Sequence, residues 1–112
     1  MTKKKICNLS QLQNKDYIRF WVDDFKDEII IFINNNKIYV KSSICPHFGG
    51  SIAYDKVNNY LFCYWHGLKF TINGKCINQK DSKLCLNSYD YELKGNSIYI
   101  IKNENTFVTA KF

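Results

Sequence analysis

Both histidines of this chain stand beside a cysteine, and this pairing constrains the fold more than any other feature of the sequence. The first pair is Cys45-Pro46-His47, with the pattern C-x-H, and the second is Cys63-Tyr64-Trp65-His66, with the pattern C-x-x-H. Glycines follow each pair, at Gly49-Gly50 and at Gly67, so both pairs are predicted to lie in loops. Two thiolates and two imidazoles on facing loops make a four-ligand metal site. The fold must therefore bring two loops together.

The donor set alone fits two kinds of metal centre. Two cysteines and two histidines suit tetrahedral Zn²⁺, and a structural zinc site is the simpler interpretation. The spacing argues against a zinc finger, since each loop here supplies one cysteine and one histidine. A two-iron cluster divides such ligands differently, with both cysteines on one iron and both histidines on the other. Two similar loops that meet at their tips would satisfy that division, and nearby glycines let backbone amides approach the sulfides.

Short strand-like runs separated by turns follow one another along the chain. Eight Tyr, eight Phe and a single Pro favour strands, because aromatic side chains fit a pleated surface. Strands are predicted at residues 5–9, 16–22, 28–33, 37–42, 60–64, 69–72, 75–77, 89–93 and 97–102. Helical periodicity is weak, with one turn predicted at residues 9–12.

Two of the predicted turns carry strong hairpin signals, at Asn73-Gly74 and Gly95-Asn96. The run at residues 28–33 is apolar almost throughout, which is typical of a strand buried on both faces. This pattern predicts the all-β class, as a small antiparallel sandwich or barrel. The length of 112 residues predicts a single domain over residues 1–112.

The segments C-P-H-F-G-G, beginning at Cys45, and C-Y-W-H-G-L-K-F, beginning at Cys63, resemble the two loops of Rieske [2Fe–2S] proteins. The resemblance covers about residues 4–102, including the strands before the first loop and the final hairpin. It implies a [2Fe–2S] cluster held by two loops at one tip of the domain. By the same resemblance, Cys45 and Cys63 bind the buried iron, and His47 and His66 bind the exposed iron.

Three features distinguish this chain from high-potential Rieske proteins, which carry an additional disulfide between the loops. The positions of that disulfide hold Gly50 and Trp65 here. The hydroxyl donors after the second histidine are replaced by Leu68 and Phe70, which implies a lower reduction potential. No apolar run approaches the roughly 18 residues of a membrane span. The chain also departs from many Rieske domains at residues 78–82, where it lacks the proline-rich loop that covers the cluster.

The resemblance therefore implies a low-potential ferredoxin, an electron carrier rather than an enzyme. It would accept one electron from a flavin-dependent reductase and pass it to a terminal oxygenase or another redox enzyme. A catalytic 2-His-1-carboxylate iron site would need two more histidines than the chain contains. Two alternatives stay open: a small Rieske subunit of a nitrite reductase-like complex, and a zinc-stabilised interaction module.

The net charge of +6 comes from scattered lysines, without the arginine-rich or aromatic-interleaved patches of nucleic-acid readers. We therefore expect no nucleic acid or membrane partner, and a monomer. The N-terminus lacks the apolar segment of a signal peptide, which predicts a cytoplasmic protein. Lys41 and Lys69 flank the two loops, which favours weak steering toward an acidic partner surface.

Several other residues receive simple structural interpretations. Trp21 is predicted to lie in the core, and Trp65 to shield the cluster. The remaining cysteines are predicted to be small core residues or thiols without a role, namely Cys7, Cys76 and Cys85. The acidic residues Asp23, Asp24, Asp27 and Glu28 are predicted to form a solvated turn.

Overall fold

The computed structural model describes residues 2–45, 51–63, 67–77 and 85–102. In this part of the chain nine strands accompany one short α-helix and one 3₁₀ turn. The strands are β1 (Thr2–Asn8), β2 (Ile18–Val22), β3 (Asp27–Asn34), β4 (Lys37–Ser42), β5 (Ile52–Asp55), β6 (Tyr60–Cys63), β7 (Lys69–Phe70), β8 (Asp90–Lys94) and β9 (Ser97–Lys102). The helix α1 spans Leu9–Gln13, and the 3₁₀ turn spans Asp23–Phe25. The predicted all-β class is confirmed.

The strands form three antiparallel sheets of three strands each. The strand orders are β1-β9-β8, β2-β3-β4 and β5-β6-β7. The last two sheets are made of strands consecutive in the chain, so short turns are enough to connect them. In the first sheet β9 lies between β8 and β1, so this sheet joins the first and the last of the described strands.

Strand β3 separates two hydrophobic cores, which explains its apolar sequence. Residues 29–32 have no exposed surface. Ile29 and Ile31 pack into a core shared with β1 and β9, whereas Ile30 and Phe32 pack into a core shared with β5, β6 and β7. Successive side chains of a strand point to opposite faces, so a strand between two cores is apolar at every position.

The turn at Gly95-Asn96 joins β8 to β9 as predicted, with Lys94 paired to Ser97. The predicted hairpin at Asn73-Gly74 is shorter than expected. Its first arm is the two-residue β7, and its second arm forms only isolated bridges, one of them between Phe70 and Cys76. The second arm is divided between two partners, because Lys75 pairs with Cys85 while its carbonyl accepts a hydrogen bond of 2.8 Å from the amide of Thr71, directly after β7.

The prediction that Trp21 is a core residue is wrong, since Trp21 is 54% exposed. Strand β2 alternates, and it is Ile18, Phe20 and Val22 that pack against the core shared with β1 and β9. Trp21 lies between two of these residues and therefore points to the opposite face.

Candidate metal centre

The pairing of β5 with β6 places the ends of the two cysteine-bearing loops side by side. Cys63 is the last residue of β6, and it pairs with Ile52, the first residue of β5. The amide of Ile52 donates a hydrogen bond of 2.8 Å to the carbonyl oxygen of Ser43, which precedes the first loop. Three chain segments thus lie next to one another where the loops begin. This juxtaposition is what the paired motifs require of the fold.

The first loop is closed at its base by a short bridge. Ile44 pairs with Ser51 in an isolated antiparallel bridge, and Cys45 follows directly after it. The second loop is closed more tightly, because the Cys63 amide donates to the Leu68 carbonyl at 2.9 Å and the Gly67 amide donates to the Cys63 carbonyl at 3.1 Å. Both cysteines are therefore fixed at the positions where their loops leave the sheets.

Both thiols are removed from water. The exposed fraction is 0% for Cys45 and 1% for Cys63, and both belong to the same core cluster. Leu68 and Phe70 lie in that cluster as well, buried at 3% and 0% exposure. Two buried cysteines at neighbouring loop ends, within an apolar surrounding, form a donor set that fits the sulfur-ligated side of an iron–sulfur cluster.

The predicted histidine ligands, His47 and His66, lie outside the described residues, as do Gly50, Trp65 and residues 78–82. Within the described ranges, no group of three or more His, Cys, Asp or Glu side chains is placed to hold a metal ion. The complete ligand set of Cys45, His47, Cys63 and His66 therefore stays a prediction.

The base of the first loop carries a polar network that the sequence analysis missed. The Glu28 carboxylate atom Oε1 accepts hydrogen bonds from the hydroxyls of Ser43, at 2.7 Å, and Ser51, at 3.2 Å. Arg19 approaches the same oxygen with Nε at 3.6 Å, and its Nη1 donates to the carbonyl of Ile52 at 3.0 Å. The predicted solvated turn is therefore wrong for Glu28.

It is also wrong for the neighbouring Asp27, which has no exposed surface. Its two carboxylate oxygens accept hydrogen bonds from the hydroxyls of Ser42, at 2.9 Å, and Tyr89, at 2.5 Å. One signal in the sequence could have indicated this burial. Both acidic residues stand directly before the apolar run, and the strand β3 includes them. Asp23 and Asp24 do lie in the 3₁₀ turn, and both are exposed.

The two lysines expected to flank the loops differ in their surroundings. Lys41 is buried, and its Nζ donates a hydrogen bond of 2.6 Å to the hydroxyl of Ser88. Burial lowers the pKa of Lys41 below its ordinary value. Lys69 is exposed, with Nζ 5.0 Å from the ring centroid of Tyr60. Of the two lysines only Lys69 offers an exposed charge, so Lys41 does not support the expected steering, which itself stays a prediction.

Two of the three other cysteines are confirmed as core residues. Cys7 and Cys76 are buried, at 8% and 7% exposure, and act as small core residues. Burial raises the pKa of the Cys7 thiol. Cys85 is exposed.

Paired strands thus deliver two buried cysteines to neighbouring loop ends in a small all-β fold. Residues 2–90 match the family model of the Rieske [2Fe–2S] domain, and the chain belongs to this family. The cofactor of this family is a [2Fe–2S] cluster, so this chain binds a [2Fe–2S] cluster rather than zinc.

One curated relative is the cytochrome b6-f complex iron-sulfur subunit of Chlorobaculum tepidum, which is 29% identical over 77 residues. The aligned region is 68% of this chain and 42% of the relative. The chain thus spans less than half the length of this relative.

Solved Rieske structures share the fold at low sequence identity. The plasma membrane Rieske protein of Synechocystis is similar with a TM-score of 0.74 and 20% identity, over 88% of this chain and 98% of that one. The ferredoxin of carbazole 1,9a-dioxygenase from Nocardioides aromaticivorans is similar with a TM-score of 0.74 and 20% identity, over 92% of this chain and 100% of the ferredoxin. A protein assigned as the small subunit of an NADH-dependent nitrite reductase in Mycobacterium tuberculosis is similar with a TM-score of 0.64 and 14% identity, over 88% of this chain and 93% of that protein.

No helix in the described parts of the chain is long and apolar enough to cross a membrane.

Proposed function

We propose that this chain is a low-potential Rieske-type ferredoxin, which carries single electrons from a flavin-dependent reductase to a terminal oxygenase or a comparable redox enzyme. In this proposal Cys45 and Cys63 ligate one iron of the cluster, and His47 and His66 ligate the other. The observation that supports it most is the burial of both cysteines at loop ends that meet through Ile52.

The cluster, when bound, supplies reversible one-electron oxidation and reduction. The chain would protect the ligands of the cluster and determine which iron gains the electron. Burial keeps water and oxidants away from the thiolates of Cys45 and Cys63, which otherwise oxidise readily. Neutral imidazoles favour ferrous iron more than thiolates do, so His47 and His66 would hold the iron that gains the electron.

The low potential in this proposal rests on Leu68 and Phe70. Both side chains are buried in the core cluster that contains Cys45 and Cys63, and neither carries a hydroxyl group. Hydrogen bonds donated to cluster sulfurs stabilise the more negative, reduced form, so their lack favours the oxidised form. We expect a midpoint potential near about −150 mV at neutral pH, and a value above about +100 mV would contradict the proposal.

The oxygenase partner is supported by the likeness to the ferredoxin of a carbazole dioxygenase, which covers that whole chain. A reconstitution experiment tests it. The purified protein, reduced stoichiometrically by NADH and a flavin-dependent reductase, should reduce an oxygenase component in a single one-electron step. A protein that takes up an electron but passes none to any oxygenase component would contradict the oxygenase assignment and leave the electron-carrier assignment intact.

A second candidate is a small Rieske subunit bound permanently to a nitrite reductase-like catalytic chain. The likeness to the Mycobacterium tuberculosis protein favours it, with 93% of that chain covered. Gel filtration of the endogenous protein distinguishes the two functions. A ferredoxin should elute as a monomer that binds its partners transiently, whereas a subunit should co-elute with a large chain at constant stoichiometry.

We also propose that residues 1–112 form one Rieske domain. The family match extends to residue 90, and β9 then adds a further strand, through Lys102, in the middle of the first sheet.

A further inference from the structure

We propose that Glu28 is a positioning residue for the iron–sulfur cluster, which it serves by holding together the two ends of the first cluster loop. This inference rests on the proposed function, because it assumes that Cys45 ligates the cluster. Glu28 lies on β3, outside both loop motifs. It would act through Ser43 and Ser51, without contacting the cluster itself.

A single carboxylate oxygen joins the two ends of the loop. Oε1 of Glu28 accepts a hydrogen bond from the hydroxyl of Ser43 and another from the hydroxyl of Ser51. Ser43 lies two residues before Cys45, and Ser51 lies at the other end of the loop. Hydrogen bonds to a charged acceptor are stronger than neutral ones. Two donors that share one acceptor are held at a defined separation. The direction in which Cys45 enters the site therefore depends on Glu28.

Arg19 extends this connection to the second loop. Its guanidinium group approaches Glu28 with Nε and donates from Nη1 to the carbonyl of Ile52. Ile52 in turn pairs with Cys63 at the start of the second loop. The planar fork of arginine reaches both partners at once, which the single ammonium group of a lysine does less well. Arg19 is the only arginine among the 16 basic residues of the chain.

The ion pair by itself would not support this inference. The side chains of Arg19 and Glu28 are 31% and 29% exposed, and ion pairs with this access to water contribute little. The location of the hydrogen bonds is the stronger argument, since both hydroxyls that donate to the Glu28 carboxylate belong to residues at the ends of the first loop. Loss of Glu28 should therefore disturb the cluster more than it disturbs the fold.

The experiment compares Glu28→Ala with Glu28→Gln and with a control variant, Glu92→Ala. Glu92 is a carboxylate on β8 with a similar exposure of 37%, and its ion-pair partners among the described residues, Lys3 and Lys94, both belong to the first sheet. The rate of cluster loss to an iron chelator is followed by visible absorbance, at a temperature where far-ultraviolet circular dichroism reports every variant folded. The EPR spectrum of the reduced protein is recorded for each variant as a measure of cluster geometry.

We expect Glu28→Ala to lose its cluster about fivefold faster than the natural protein or more, the factor that the loss of one or two hydrogen bonds produces. Its EPR spectrum should change, whereas a purely structural role would leave that spectrum unmoved. Glu28→Gln keeps an oxygen that accepts hydrogen bonds from both hydroxyls but lacks the charge, so its cluster loss should be slower than that of Glu28→Ala and faster than that of the natural protein. Glu92→Ala should have no effect.

The variant Ser43→Ala/Ser51→Ala keeps the test valid if Glu28→Ala folds poorly. It removes the same hydrogen bonds with small changes of volume, and should itself lose the cluster about fivefold faster than the natural protein. Where Glu28→Ala folds, the two effects on cluster loss should not add. If Glu28→Ala and the serine variant lose the cluster no faster than Glu92→Ala, with unchanged EPR spectra, the positioning role is wrong. If the natural protein binds no [2Fe–2S] cluster, the proposed function itself fails instead.

Discussion

The hydroxyl of Tyr89 donates a hydrogen bond of 2.5 Å to Oδ2 of Asp27, a carboxylate that has no exposed surface. Ser42 donates to the other oxygen of the same carboxylate. Asp27 therefore joins the beginning of β3, the end of β4 and the segment that leads into β8. Ser42 precedes Ser43, so this buried connection adjoins the loop that carries Cys45.

Replacement of Tyr89 by Phe should destabilise the fold by about 1–3 kcal/mol, because it removes a hydrogen bond that is donated to a buried carboxylate. The thermal midpoint, measured by far-ultraviolet circular dichroism, should fall by several degrees. Tyr91→Phe is the matched control, since Tyr91 is 40% exposed on β8. Equal midpoints for the two variants would argue against a stabilising role for the Tyr89–Asp27 hydrogen bond.

Alkaline pH should weaken the fold through the same tyrosine. Burial, and secondly the hydrogen bond to Asp27, raises the pKa of Tyr89 well above its ordinary value of 10.0. Below pH 10 both the folded and unfolded states keep the proton, and the full stabilisation is present. As the pH rises above 10, the unfolded state loses its proton first, and stability falls by up to about 1.4 kcal/mol per pH unit.

The stability difference between the natural protein and Tyr89→Phe isolates this effect, because other titrating groups contribute equally to both proteins. Measured from pH 8 to about pH 11, the difference should be constant up to pH 10 and should narrow above it. A difference that stays constant over the whole range would mean that Tyr89 does not titrate differently on unfolding.

Two glycines with positive φ should respond differently to alanine. Gly74 has φ +94°, and a Cβ there would lie 2.9 Å from the carbonyl oxygen of Leu86, whereas Gly95 has φ +59° with no atom within 4 Å. Gly95→Ala should cost about 1 kcal/mol from backbone strain alone. Gly74→Ala should cost on the order of 3 kcal/mol, because Leu86 must also move. Chemical denaturation of the two variants measures the difference, and equal costs would refute the close approach of Leu86.

Hydroxyl groups placed at positions 68 and 70 should raise the midpoint potential. In the double variant Leu68→Ser/Phe70→Tyr, each new hydrogen bond to a cluster sulfur should raise the midpoint potential by about 60 mV, if that bond stabilises the reduced form by about 1.4 kcal/mol. Redox titration followed by visible absorbance measures the shift. Leu68→Ala, with Phe70 unchanged, opens similar space without adding a hydroxyl and should shift the potential much less. Equal shifts in the two variants would indicate that altered packing, rather than hydrogen bonding, sets the potential.

Local patterns predicted the elements whose limits are set by neighbouring turns. The bounds of β4 and β9 agree with the sequence prediction at both ends, and the asparagines before β4 adopt positive φ at Asn35 and Asn36. The apolar run of β3 was likewise recognised as a strand buried on both faces, because no polar residue interrupts it.

Contacts between segments distant in the chain could not be predicted in this way. A lysine in a strand is expected to be exposed, yet Lys41 is buried. The segment 87–89 covers it by two backbone hydrogen bonds to the end of β4, from the Ser42 amide to the carbonyl of residue 87 and from the amide of residue 89 to the Val40 carbonyl. Glu28 meets Ser51 only because β5 starts beside the first loop, and the strand β5 itself was not predicted. The motifs thus indicated two loops, whose ends the structure places side by side through Ile52, but they gave no sign of the polar network that supports the first loop.

Pulsed EPR of the chemically reduced protein, labelled with ¹⁵N in histidine alone, tests the proposed ligand set most directly. The chain contains only two histidines, so every labelled nitrogen belongs to His47 or His66. If both ligate one iron of the cluster, the spectrum should contain two strongly coupled ¹⁵N nuclei, because nitrogen bound directly to the reduced iron shares its unpaired spin. A reduced [2Fe–2S] signal without strong coupling to histidine nitrogen would contradict the assignment of Cys45, His47, Cys63 and His66 as the ligands.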